Sequence, residues 1–251
     1  MKLAGLMLLA ACSWGATCES LTSLKLKNTT ITLAQSVAAG EFSPGPAGGR
    51  GGNAYRNLPA FCRVAATLKP SADSDIKIEV WMPVAGWNRN LQSVGNGAWA
   101  GTIGYGAMAT ALAGGYATAS TDTGHTGGNP VNFIPGHPEK VIDFAYRAVH
   151  EMTVAAKAII AANYRKASAK SYWNGCSTGG RQALAEAQRY PADYDGIIAG
   201  AAANYTTHLQ GQQVWSAEIM HKEEASYIPP AKYAAFHAAV LQACDAIDGV
   251  K

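Results

Sequence analysis

The apolar positions of the chain follow two rhythms. In SDIKIEVWMP, Ile76, Ile78 and Val80 alternate with polar neighbours, which predicts a half-buried strand stopped by Pro83. Residues 91–94, 116–120 and 171–174 read as further short strands, and 196–201, GIIAGA, reads as a buried one. Between them the period lengthens. Val141, Phe144, Ala145, Ala148, Val149, Met152, Ala156, Ile159 and Ile160 recur every 3.6 residues, the stripe of an amphipathic helix. Pro138 sits near its start, where a missing N–H costs little. Residues 181–189 predict a second helix, stopped by Pro191. Strands alternating with helices imply an α/β fold, a mainly parallel sheet with helices on both faces. Residues 40–53, GEFSPGPAGGRGGN, read as a surface loop.

From about His208 the strand signal stops and the pattern is helical. The expected organisation is a signal peptide over 1–16, an α/β core over 17–207, and the beginning of a lid domain over 208–251. The 251 residues are 48% hydrophobic and 15% charged, enough apolar material for one large core and unlike a disordered chain. Lys+Arg 20 against Asp+Glu 17 gives a net charge of +3 with no basic stripe, which argues against nucleic acid as a partner.

Lys2 precedes an apolar run over 3–11 that is too short to span a bilayer and reads as a secretory signal. Leu9-Ala10-Ala11-Cys12 also fits a bacterial lipoprotein box, which would put a lipid on Cys12; an ordinary signal containing a chance cysteine fits as well. Either way the chain is exported, to be secreted, periplasmic or lipid-anchored, and has no membrane association unless lipidated. Export permits disulfides. The other cysteines are Cys18, Cys62, Cys176 and Cys244. Cys18 and Cys62 flank the N-terminal segment and are plausible partners, with connectivity left open.

Gly175-Cys176-Ser177-Thr178-Gly179 fits G-x-S-x-G, with a predicted strand before it and a helix after it. That is the context of a nucleophile elbow, in which a serine occupies a strained turn between small neighbours. The N–H of Thr178 then becomes one oxyanion donor, and Gly97, in the glycine-rich loop 95–101, is the expected second. A glycine-rich strand-to-helix turn with a chance serine is the blander alternative. By its own residues, Cys176 reads as an inert buried cysteine or as a partner of Cys244.

GCSTGGRQALAEAQRYPADYDGIIAGAAANY, STDTGHTGG, FAYRAVHEMTVAAKAII, the FCRV around Cys62 and CDAIDGVK together resemble the tannase and feruloyl esterase family of secreted α/β hydrolases, from about Cys18 to the last residue. The resemblance implies an α/β-hydrolase core with an inserted lid, and a serine carboxylesterase working through an acyl-enzyme. Its substrates would be small aromatic esters, feruloyl, hydroxycinnamoyl, galloyl or phthalate-type, in part derived from plant cell wall. It also implies that Cys176 bridges to a cysteine beside the catalytic histidine. A structural calcium is implied in a lid loop, for which Asp245, Asp248 and Val250, after Cys244, match the beginning. The DTGH histidine of the family is not its base, so His125, beside Asp122, is expected to structure a loop. Asp193 and Asp195 are expected to form a turn before a strand.

None of His125, His137, His150, His208, His221 and His237 is followed by cysteine. The expectation is therefore that residues 1–251 are the N-terminal part of a longer protein, inactive without the Asp and His of its triad. A secreted peptidase or polyester depolymerase on the same fold, and a non-catalytic binding module, are the competing readings.

Overall fold

The computed structural model describes residues 17–45, 55–99, 101–127 and 132–248, the side chains of 246 and 248 excepted. The signal peptide, Cys12, part of the loop 40–53 and Val250 lie outside them. Two compact units divide the chain, Met1–Asn204 and Tyr205–Lys251. No helix among the described residues is long and apolar enough to cross a membrane.

The first unit is built on a seven-stranded sheet in the order β1-β2-β3-β5-β4-β6-β7. The strands are β1 (Thr29–Val37), β2 (Phe61–Leu68), β3 (Ile76–Pro83), β4 (Asn90–Val94), β5 (Ala117–Thr121), β6 (Lys170–Cys176) and β7 (Gly196–Gly200). β1, β2, β3 and β5 pair antiparallel; β5, β4, β6 and β7 pair parallel, and this parallel half carries the elbow.

Strand alternation divides the apolar side chains between two layers. Ile76, Ile78, Val80 and Met82 of β3 enter one core with Met152, Ile159 and Trp173. Trp81 enters the other, against Phe42, Phe61, Met108 and Leu112. Helix α1 (Tyr105–Ala113) therefore covers one face and α3 (Ala148–Tyr164) the other. The disulfide Cys18–Cys62 ties the N-terminal 3-10 turn to β2 across a separation of 44 residues. In the chain-entropy account such a closure stabilises by ~4 kcal/mol.

Three expectations change. The periodic helix over 141–160 is α2 (Pro138–Ile142) and α3 joined by a π turn at Asp143–Arg147. The widened turn presents the Phe144 and Ala145 carbonyls, which accept from the Arg181 guanidinium at 3.1 and 2.7 Å. Val141, at the start of the apolar stripe, is 38% exposed. The GIIAGA strand is not buried: β7 is a sheet edge, and Ile198 is 62% exposed. Strands β1 and β2 also carried too weak an alternation to be expected.

Behind the parallel strands, α4 (Thr178–Arg189) packs against β6 and β7. On its inner face Glu186 is fully buried, with neither carboxylate oxygen hydrogen-bonded. His150 Nδ1 donates to Asp193 at 2.6 Å beside it, and Lys157 donates to the Asp193 carbonyl. Burial, with Asp193 adding to it, raises the Glu186 pKa from 4.5 to about 8.

The folded chain thus holds a proton that the unfolded chain releases near 4.5. The stability from this group is complete below that value and is lost as the pH rises through about 8. Glu186→Gln removes the titration and keeps the shape. The Tm of the variant minus that of the parent, from circular dichroism melts, is expected to grow steadily between pH 5 and pH 8; a flat difference would contradict the buried neutral acid.

Candidate active site

The site forms where the C-terminal ends of β4, β5 and β6 meet. β4 and β6 run parallel in register, Val94 opposite Asn174, so the loop after one and the turn after the other emerge side by side. In an open α/β sheet this is where ligands bind.

Ser177 stands between β6 and α4 with φ 58° and ψ −117° and is exposed. That backbone conformation is strained for a residue with a side chain and persists only when its surroundings hold it. Here they do. Its N–H donates to the Gly200 carbonyl at 3.0 Å, and its own carbonyl accepts from the N–H groups of Arg181 and Ala203 at 3.0 and 3.1 Å. Close packing completes the turn. A Cβ on Gly180 would lie 2.3 Å from the Gly200 carbonyl oxygen, and one on Gly95 would lie 2.5 Å from Gly179 Cα. The N–H of Thr178 opens α4 and is one of the donors that a helix start leaves without an intrahelical partner; the helix dipole there favours negative charge.

The loop after β4 is sewn to this turn on either side of Gly97. Gly179 N–H donates to the Asn96 carbonyl at 2.9 Å, and Thr178 Oγ1 donates to the Ala98 carbonyl at 2.7 Å. Gly97 itself is exposed, with open space around its Cα. A cavity of about 360 Å³ lies beside the elbow, bordered by Asn96, Ala107, Thr110, Gly175 and Cys176.

Two residues that sequence reasoning passed over hold the loop. The Asn96 amide nitrogen donates to the Thr102 and Thr121 carbonyls at 2.9 and 2.8 Å. Gln182, on the first turn of α4 after Thr178, accepts from Asn96 N–H at 3.1 Å and donates to Asn96 Oδ1 at 2.9 Å. Nothing local in the sequence marks an amide pair whose members stand 86 positions apart.

Asp122 and His125 frame the far side. Asp122 is 3% exposed; its Oδ1 accepts from Lys77 and Gly124 N–H groups and its Oδ2 has no partner. Burial raises its pKa to about 7 against those bonds. His125 Nε2 donates to the Trp99 carbonyl at 2.7 Å and its ring stacks on Phe133. Burial lowers its pKa, so the neutral ring serves as a fastener for the 95–101 loop. His137 pairs with Asp73 and His150 with Asp193. Among the described residues no histidine is hydrogen-bonded to Ser177. Asp195 ties β7 to β6 by accepting from Ser171 N–H at 2.8 Å.

Cys176 and Cys244 are exposed free thiols, so Cys176 is not a buried inert cysteine, and these two belong to different compact units. Cys244, Asp245 and Asp248 fall within helix α6 (Tyr233–Asp248) and not in a loop. Calcium takes six to eight oxygens. Of the expected ligands only the exposed Asp245 carboxylate is a described side chain, and by itself it does not make such a cage.

An exposed serine on a strained turn between a parallel strand and a helix, with a glycine loop bonded beside it, defines an α/β-hydrolase core. The sequence profile of the family described as "Tannase and feruloyl esterase" matches residues 62–251, and the chain belongs to that family. An uncharacterized esterase of Xanthomonas campestris pv. campestris is 41% identical over 242 residues, 96% of this chain and 41% of that protein. A probable feruloyl esterase B-1 of Aspergillus oryzae is 37% identical over 196 residues, 76% of this chain and 35% of that protein. The crystal structure of feruloyl esterase B from Aspergillus oryzae superposes with a TM-score of 0.79 at 34% identity, covering 95% of this chain and 47% of that one. The chain thus spans less than half the length of these relatives.

The close approaches at the elbow set a stability test. Gly180→Ala must push a methyl against backbone and is expected to cost about 1–3 kcal/mol in urea unfolding. Gly106→Ala, in α1 with nothing within 4 Å of the added carbon, is expected to be neutral or to stabilise by up to about 1 kcal/mol. Equal effects of the two substitutions would remove the packing account of the turn.

Proposed function

We propose that the protein is an exported serine carboxylesterase that hydrolyses small esters of aromatic acids, of the feruloyl, hydroxycinnamoyl or galloyl class. The observation that carries this reading is Ser177, exposed at φ 58° and ψ −117° at the start of α4. The family and its relatives named as feruloyl esterases support the substrate class.

Ser177 Oγ attacks the ester carbonyl and gives its proton to a base. By the family pattern that base is a histidine preceding a cysteine, a dipeptide absent from residues 1–251. The carbonyl oxygen takes up negative charge between the N–H groups of Thr178 and Gly97. The alcohol departs with a proton, leaving an acyl-serine, and water then releases the acid. By the same pattern Cys176, exposed at the end of β6, would be tethered to the cysteine after that histidine, which would hold base and nucleophile together. Calcium, bound with Asp245 among its ligands, would be structural in the lid and takes no part in these steps.

Methyl ferulate turnover by the protein expressed from its full reading frame tests the reading. Ser177→Ala is expected to lower kcat by about 10⁴-fold or more, since removing a nucleophile leaves only the oxyanion hole and binding. A feruloyl amide is expected to be cleaved far more slowly than the ester. Retained ester turnover in Ser177→Ala would exclude Ser177 as nucleophile, and preference for the amide would favour a peptidase.

A further inference from the structure

We infer that Asn96 and Gln182 are positioning residues for the oxyanion hole, a paired-amide splint that holds the Gly97 N–H in line with that of Thr178. The inference rests on the reading of Ser177 and the two donors given above. Neither amide touches the reacting atoms; both act through the loop they hold.

The bonding leaves the loop little choice of position. Asn96 uses every polar group it has: backbone N–H and Oδ1 to Gln182, both side-chain N–H groups to the Thr102 and Thr121 carbonyls, and its own carbonyl to Gly179 N–H. Its neighbour across Gly97, Ala98, is held by Thr178 Oγ1. Gly97 therefore hangs between two residues fastened to the first turn of the elbow helix. Gln182 is 1% exposed and Asn96 8%, so water does not replace these bonds when they are lost.

The pairing is also specific to amides. Gln182 presents an acceptor to a backbone N–H and a donor to Oδ1 at the same time, in a two-point contact that fixes orientation as well as distance. A carboxylate there would set an oxygen against Asn96 Oδ1, and a thioether would serve neither point. Asn96 in turn carries the loop's link to β5 through Thr121, so Thr102 beyond the loop, the end of β5 and the elbow helix all meet at one side chain.

The test is the second-order rate at which a fluorophosphonate labels Ser177 in the protein expressed from its full reading frame. In that reaction the Oγ–P bond forms, the P–F bond breaks, and fluoride and the serine proton leave. The phosphoryl oxygen occupies the oxyanion hole, so the rate reports donor placement without depending on the acid or alcohol of any ester. Gln182→Met and Thr178→Val are each expected to slow labelling about tenfold or more, short of the hundredfold or greater loss seen when a donor is removed outright. Thr178→Ser, which restores the hydroxyl bond to Ala98, is expected to label several-fold faster than Thr178→Val. Ile159→Val, a core change remote from the loop, is expected to lower Tm and leave the rate unaltered. Labelling of Gln182→Met at the parent rate, or a slowing in Ile159→Val that matches its loss of Tm, overturns the splint. If the parent labels at Ser177 but does not hydrolyse methyl ferulate, the substrate reading fails and the splint stands. If the parent does not label at all, both fall.

Discussion

The close approach of three backbone segments around Ser177 is the constraint on which the rest of the site depends. β6 arrives, turns within one residue and leaves as α4, while the loop after β4 and the segment after β7 press on the turn from either side. Only residues without a side chain fit at Gly95, against Gly179, and at Gly180, against the Gly200 carbonyl. A positive φ at Ser177 costs about 1–3 kcal/mol. The bonds from Gly200, Arg181 and Ala203 to the Ser177 peptide groups hold it there, so the strain is maintained by the ends of the neighbouring elements. The gain is geometric: the hydroxyl clears the sheet, and the first N–H of α4 faces the same space.

Much of this was legible in the chain. The 2-residue rhythm marks β3, the 3.6-residue rhythm marks α3, and the glycines on both sides of Ser177 mark the turn, because each reflects a local steric demand. What was not legible depends on neighbours distant in sequence. β1, TTITLAQSV, only half-buries its inner face, and just Ile31 and Leu33 mark an alternation among threonines, too short a signal to betray it. β2 alternates through alanine and threonine, which carry little signal although Val64 and Leu68 are fully buried. GIIAG is apolar on both faces, and among the described residues of 1–251 it pairs with β6 alone. The π turn at Asp143–Arg147 has two of its carbonyls taken up by the Arg181 guanidinium, a partner 36 and 37 positions away.

The candidate site divides in the same way. The roles proposed for Ser177, Thr178 and Gly97 come from motif and spacing. Asn96 and Gln182 do not, since an asparagine after a strand and a glutamine in a helix are each unremarkable alone. His125 shows the converse. Its type and its neighbour Asp122 suggest a base, but its Nε2 is committed to the Trp99 carbonyl and its ring to Phe133. Residue type proposes chemistry; the hydrogen bonds already made decide whether any capacity is left for it.

The distribution of charge along α4 fits the proposed site, which would stabilise an anion. The helix start faces the hydroxyl with its positive end, and the first buried side chain below it, Gln182, is a neutral amide. One turn further, the buried acid Glu186 has its pKa raised to about 8, so at neutral pH it is largely uncharged. Arg181, on the same turn as Gln182, is directed onto the π-turn carbonyls and away from the turn's bonds. A negative group fixed at position 182 would oppose the charge that develops on the substrate oxygen in a medium where water screens little. The inner face of the helix therefore keeps fixed negative charge at a distance from the hydroxyl. In the proposed reaction the donors at its end would then act on the carbonyl oxygen without competition from the helix that carries them.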